Sequence, residues 1–246
     1  MSDPTLIVVA AVFVLAGLVK GVIGLGLPTI SMGLLAVVMP PVQAAALLLL
    51  PSIVTNVWQM IAGPAFGKVA RRLWPMMLAV CIGTWAGIGL MTGTSAPYGT
   101  ALLGAALALY AITGLTSPRL LAPPRWERVL APLVGGVTGL IAAATGVFVV
   151  PAVPYLQAIG LDKAELVQAL GLSFTVSTVA LALNVGLEGG LHVAMAGDSV
   201  MALVFACGGM WIGQSIRERL SPTAFRMCFF AGLLMLGVYL VARSAF

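Results

Sequence analysis

"LVKGVIGLGLPTI", residues 18–30, interrupts a long apolar run with a lysine, three glycines and a proline. Lipid offers no partner to backbone N–H and C=O groups, so a chain crossing a membrane normally closes its own hydrogen bonds as helix. Glycine and proline are the poorest helix formers. The stretch therefore reads as a break: a long helix ends, the chain turns within the membrane, and a short helix starts at Pro28, whose missing N–H suits a first turn. Irregular backbone at that depth survives only where protein or a watered cavity satisfies its polar groups.

The surroundings are those of a polytopic membrane protein. The chain has 246 residues, 61% hydrophobic and 8% charged, against about 25% charged residues in soluble domains. Apolar blocks punctuated by Gly, Pro and charge predict helices near 4–20, 28–39, 41–62, 73–91, 97–117, 128–143, 147–158, 162–186, 192–215 and 223–243. About 20 residues span a hydrocarbon core of about 30 Å, and blocks 28–39 and 147–158 are too short for that. Met1-Ser2-Asp3-Pro4 has no basic run ahead of the first block, which is expected to stay as a helix.

Cys81, Cys207 and Cys228 lie in apolar blocks without ligand spacing, and His192 is the one histidine, so no disulfide framework, metal site or cofactor is expected. The cysteines read as buried packing residues. The net charge of +5 points to membrane orientation rather than nucleic acid: Lys68, Arg71 and Arg72, then Arg119, Arg125 and Arg128, then Arg217 and Arg219 cluster in loops, as cytoplasmic loops do. "GVIGLG" has neither a preceding strand nor the acidic residue of a nucleotide fingerprint.

The two short blocks occupy equivalent places, and other segments echo each other. Gly17-x-x-x-Gly21 answers to Gly135-x-x-x-Gly139, "CIGTWAG" (81–87) to "CGGMWIG" (207–213), and "LPSIVTNV" (50–57) to "LSFTVSTV" (172–179). The fold expected is all-α and polytopic, with two inverted-topology repeats over residues 1–120 and 121–246. Each is a broken helical hairpin (4–39, 128–158) followed by three transmembrane helices. With the basic loops inside, the first hairpin starts and ends outside and the second inside; "TGTSAP" (92–97) and "EGGLH" (188–192), free of Lys and Arg, fall outside.

In such an arrangement the N-termini of both short helices, beside Gly24 and Gly26 and beside Thr145 and Gly146 of "AAATGVFVVP", point positive partial charge toward the midplane, where an anion could sit. Lys20 either contacts that anion or reaches for headgroup water, and its counterpart is Thr138. Ser52, Thr55, Asn56 and Gln59 share one helix face; Ser173, Ser177 and Asn184 share another, with Gln168 and Thr175 nearby. Each stripe is either interhelical glue or the wall of a central cavity. Asp198 reads as interfacial and Glu188 as a loop charge. The G-x-x-x-G pairs read as close-packing surfaces with Trp85 and Trp211 beside them, and Trp58, Trp74 and Trp126 as interface anchors.

Segments 17–56 and 135–178 resemble the two signature regions of the TauE/SafE sulfite-exporter family, also called toluene-sulfonate uptake permeases, and the likeness extends over the whole chain. The resemblance implies a multi-pass carrier of the bacterial inner membrane for sulfite, thiosulfate or organosulfonates such as sulfoacetate. The family's glycine positions carry over to Gly21, Gly24 and Gly26, and those of the second signature to Gly139, Thr145, Gly146 and Pro151; where the family is richer in glycine, Leu27-Pro28 stands here. The site expected comprises Lys20, Gly24, Gly26, Ser52, Thr55, Asn56, Thr145, Gly146, Ser173 and Ser177 around a small anionic substrate. Proton or other ion coupling and oligomer formation are open to such a carrier. An anion channel on the same scaffold and a non-transporting membrane subunit are the alternatives, and no Ser/His pair or close carboxylate pair suggests an enzyme.

Overall fold

The structure, a computed structural model, describes residues 3–92, 96–116, 123–189, 196–217, 219 and 221–245. Of the connections read at 92–97, 117–128 and 188–192, residues 93–95, 117–122 and 190–192, with Arg119 and His192, lie outside the described residues. Among the described residues the chain forms ten helices and no strand: α1 (Asp3–Ile23), α2 (Leu27–Leu35), α3 (Pro41–Ile61), α4 (Phe66–Ala86), α5 (Ala96–Thr116), α6 (Pro124–Thr145), α7 (Ala152–Ala158), α8 (Lys163–Leu187), α9 (Ala196–Ile216) and α10 (Pro222–Ala245). Seven of them, α1, α3, α5, α6, α8, α9 and α10, are long and apolar enough to cross a membrane. Helix α4 matches α3 in length, at 21 residues each, but carries Lys68, Arg71 and Arg72 in its first two turns.

Both breaks occur where glycine was expected to allow them. Gly24 and Gly26 have φ of 77° and 105°, a region costly to any residue with a Cβ, and Pro28 sits in the first turn of α2. Gly146, φ 69°, ends α6 and donates its N–H to Ala142. Several boundaries differ from the sequence expectation, with α2 ending at Leu35 rather than 39, α4 at Ala86 rather than 91, and α6 beginning at Pro124 rather than 128. Helix α1 runs on to Ile23, so Lys20 lies within it. Helix α4 begins at Phe66 rather than 73, because exposed basic residues at a helix end reach water and need no separate loop. Helix α7 begins only at Ala152: the β-branched run Val147, Val149, Val150 and the following Pro151 disfavour helix, and those residues pass through the core as irregular backbone.

The principal helix pairs each join the first half of the chain to the second: α1 with α9, α4 with α6, α5 with α10, and α3 with α8. Small residues make two of these contacts intimate. A Cβ on Gly17 or Gly21 would overlap the carbonyl oxygens of Ala206 or Met210, and one on Gly209 or Gly213 those of Val14 or Leu18. On the other side Gly135 and Gly139 meet the carbonyls of Met76 and Val80, and Gly83 that of Gly136. The glycine stripes are thus close-packing surfaces, and each G-x-x-x-G mates with the C-x-G-x-W-x-G segment of the opposite half.

Two expectations about side chains fail here. Trp85 and Trp211 are 72% and 71% exposed, and Cys81 and Cys228 are exposed, Cys207 partly so. In an apolar surround, outward-facing rings and thiols meet no desolvation penalty, so burial among neighbours is not required of them.

Contacts among the ends of the helices define two rims. On one, Lys68 pairs with Glu165 and Arg72 forms two bonds of 2.7 and 2.8 Å to Glu127 and one of 2.8 Å to the Ile159 carbonyl. The Asp162–Glu165 capping box starts α8 at the same level. On the other rim Glu188 accepts from the Gly89 N–H and Thr92 hydroxyl, and Arg243 donates to the Val37 carbonyl. The first rim carries the basic residues Lys68, Arg71 and Arg72.

The close glycine contacts predict unequal outcomes at neighbouring positions. Gly209→Ala should lower stability by about 2 kcal/mol, since the added methyl meets the Val14 carbonyl. Gly208→Ala, whose Cβ meets nothing within 4 Å, should be neutral or stabilising. Thermal unfolding in detergent, followed by tryptophan fluorescence, separates the two; equal melting would refute the contact.

Candidate functional site

Helix α1 delivers Lys20 to the polar face of α3. The lysine is 5% exposed; its ammonium donates to Thr55 Oγ1 at 3.0 Å and to Asn56 Oδ1. Both bonds point inward, to the polar face of α3. Thr55 Oγ1 donates in turn to the Pro51 carbonyl at 2.7 Å, which leaves its lone pairs aimed at Lys20. Pro51 has no N–H, and a Pro within α3 loosens the backbone ladder where the polar stripe begins. Asn56 Nδ2 lies 3.5 Å from Thr178 Oγ1, so Lys20, α3 and α8 are joined across the middle of the molecule.

Lys20 lies at the inner end of a cavity of about 200 Å³. Room for one water is about 30 Å³, so the space would hold about seven waters or an anion with part of its hydration. Gly24, Thr55, Gln59, Gln214 and Arg217 furnish the rest of its polar lining, with Ile23, Trp58, Ala62, Val167 and Met210 among the apolar part. Ala62 ends α3 and Arg217 follows α9, so the cavity runs from Lys20 to the rim that carries Lys68 and Arg72. Gln59 donates to the carbonyls of Gly24 and Val167, both at 3.3 Å, and fastens the first break to α3 and α8. Gln168 closes the end of α3 by bonding Met60 O, Gly63 O and Ala65 N.

The sequence-derived residues fall in three groups. Lys20, Gly24 and Thr55 line the cavity and Asn56 stands behind them; Gly26, beside Phe229 and Val19, supports the turn from the far side. Ser52, Ser173 and Ser177 are wholly buried on α3 and α8 and their hydroxyls have no hydrogen-bond partner, as does Thr138 at the position matching Lys20. Thr145 and Gly146 are at the second break, away from the cavity: Thr145 Oγ1 bonds Ile141 O at 2.6 Å and accepts from Val147 N at 3.2 Å, and Gly146 abuts Met32. Asn184 acts as glue, donating to the Thr84 carbonyl at 3.2 Å.

Arg217 and Gln214 escaped the sequence reading. Arg217 was absorbed into the orientation charges, yet it follows Gly209 and Gly213 at intervals of four on the face of α9 that meets α1. Extending that small-residue stripe by one turn would have found it.

A multi-pass helical membrane protein, with a buried ammonium lining a cavity, is the class that fold and site define. The chain belongs to the sulfite exporter TauE/SafE family, whose description matches residues 9–240. It is accordingly a membrane transporter and not an enzyme. No curated protein and no solved structure matches the chain.

The cavity's position predicts which face reaches it. With the native cysteines replaced by alanine, Ala62→Cys and Gln214→Cys should react with a membrane-impermeant thiol reagent only from the rim of Lys68. Leu48→Cys, at a fully buried position, should not react from either. Labelling in right-side-out and inside-out vesicles measures this, and modification from the opposite face would move the opening.

Proposed function

We propose that the chain is a secondary transporter of small sulfur-containing anions, sulfite, thiosulfate or organosulfonates such as sulfoacetate, in a bacterial inner membrane. The observation that carries this reading is a buried ammonium whose bonding partners are neutral, set at the end of a cavity. Such a charge in a low-dielectric surround favours an anion beside it. In this reading the anion is held near the midplane between the two broken hairpins. Lys20, Thr55 and Asn56 with the backbone at Gly24 and Gly26 contribute from the first half, Ser52 and Ser173 and Ser177 offer free hydroxyl donors, and Thr145 and Gly146 form the matching break.

We further infer that residues 1–120 and 121–246 are inverted repeats. Exchanging α1–α5 for α6–α10 turns the α1–α9 pair into α6–α4 and α3–α9 into α8–α4, and it maps the α3–α8 and α5–α10 pairs onto themselves. The glycine contacts follow the same exchange. Alternating access then follows from one repeat rocking against the other.

The test is uptake of labelled sulfite, thiosulfate, sulfoacetate and taurine into proteoliposomes. Wild type should take up at least one of these, and Lys20→Gln should lower its initial rate by about 100-fold, equivalent to about 2.7 kcal/mol. Unchanged uptake by a correctly folded Lys20→Gln would remove Lys20 from the site.

A further inference from the structure

Among the described residues Lys20 has no counterion, and most acidic residues of the chain are accounted for elsewhere. The sequence holds seven. Glu165 pairs with Lys68 and Glu127 with Arg72; Asp162 caps α8; Glu188 bonds Gly89 and Thr92 on the opposite rim. Asp3 stands at the start of α1, the far end from Lys20, and Asp198 in the first turn of α9, whereas Lys20 lies level with its last turns. Glu218 lies outside the described residues, next to Arg217. Around Lys20 itself, α2 and α3 carry no ionisable residue. Helix α9 and its end add Cys207 and the second cation, Arg217, and α10 has no carboxylate.

Thr55 and Asn56 can solvate the ammonium but cannot cancel its charge. While the cavity is open, water shares that task. Alternating access requires a stage in which the cavity is closed on both sides, and the lone cation then faces a low-dielectric interior without water or counter-charge. As long as the ammonium keeps its proton, an anion in the cavity removes the difficulty, so the loaded carrier passes this stage more readily than the empty one.

We propose that this transporter is an obligate anion exchanger, in which an anion must occupy the Lys20 cavity on both the inward and the outward stroke. The proposal rests on the anion-transport reading above and adds its mode: the driving force is the gradient of a second anion carried in the opposite direction.

Exchange is read in proteoliposomes with the membrane potential clamped at zero by potassium and valinomycin. Uptake of each labelled anion, thiosulfate first, is compared between vesicles filled with the same unlabelled anion and vesicles filled with gluconate. The expected result is an initial rate at least tenfold higher in the anion-filled vesicles. Lys20→Arg, which keeps the charge, should retain that ratio at whatever rate it supports. Equal rates in the two fillings would overturn exchange and leave anion transport standing. Rapid uptake into gluconate vesicles with proton entry, seen with an internal pH dye, would overturn it in favour of proton coupling. No uptake of any of the anions in either filling would overturn both readings.

Discussion

The architecture depends on the close approach of α1 to α9 and of α4 to α6, where glycines let one backbone rest on the carbonyls of another. Between membrane helices there is no hydrophobic gain to drive association, because lipid is as apolar as any side chain. Tight van der Waals contact must supply it, and the tightest contact is available where there is no side chain. Both approaches join the first half of the chain to the second. Neither half can therefore close its own packing, and the cavity takes its walls from both: Lys20, Thr55 and Gln59 from one side, Val167, Gln214 and Arg217 from the other.

That contact also explains how a broken hairpin is tolerated. Once α1 is clamped along α9, its C-terminal end is fixed, and the chain can leave helical geometry at Gly24 with polar groups near enough to answer it. Gln59 does so from α3, its side-chain amide donating to the Gly24 carbonyl. The second break is answered differently, by Thr145 folding back on Ile141 and receiving Val147. The two breaks thus share a position in the chain but not a chemistry: one opens toward a cavity and the other is sealed within the core.

Much of this was legible in the residues. The breaks were visible because only glycine takes the φ values found at Gly24, Gly26 and Gly146 without strain. The glycine stripes were visible as spacing, and the polar face of α3 as a helical repeat. The length of α7 was hidden because Val147–Val150 are as apolar as a helix interior and differ from one only in branching. The outward direction of Trp85, Trp211 and the cysteines was hidden because, in lipid, apolarity no longer says which way a side chain points. Arg217 was hidden for a different reason: its charge already had an explanation in orientation, and one sufficient cause concealed a second place in the cavity.

The proposed symmetry makes the asymmetry of charge informative. Lys20 and Thr138 occupy matching positions in it, and both are buried. The ammonium finds Thr55 and Asn56, whereas the Thr138 hydroxyl finds no partner. Two lysines there would place like charges on either side of the Asn56–Thr178 contact, and two neutral residues would leave nothing to favour an anion over water. A single cation beside unpartnered hydroxyls separates the two demands on a carrier: one strong, charged contact sets the sign of what is bound, and neutral donors around it can be exchanged as the halves shift. Pairing Lys20 with a carboxylate would stabilise the empty protein and remove that sign. On the anion-transport reading, the lack of a counterion among the described residues belongs to the binding chemistry, at a cost in stability that the glycine-packed frame is placed to bear.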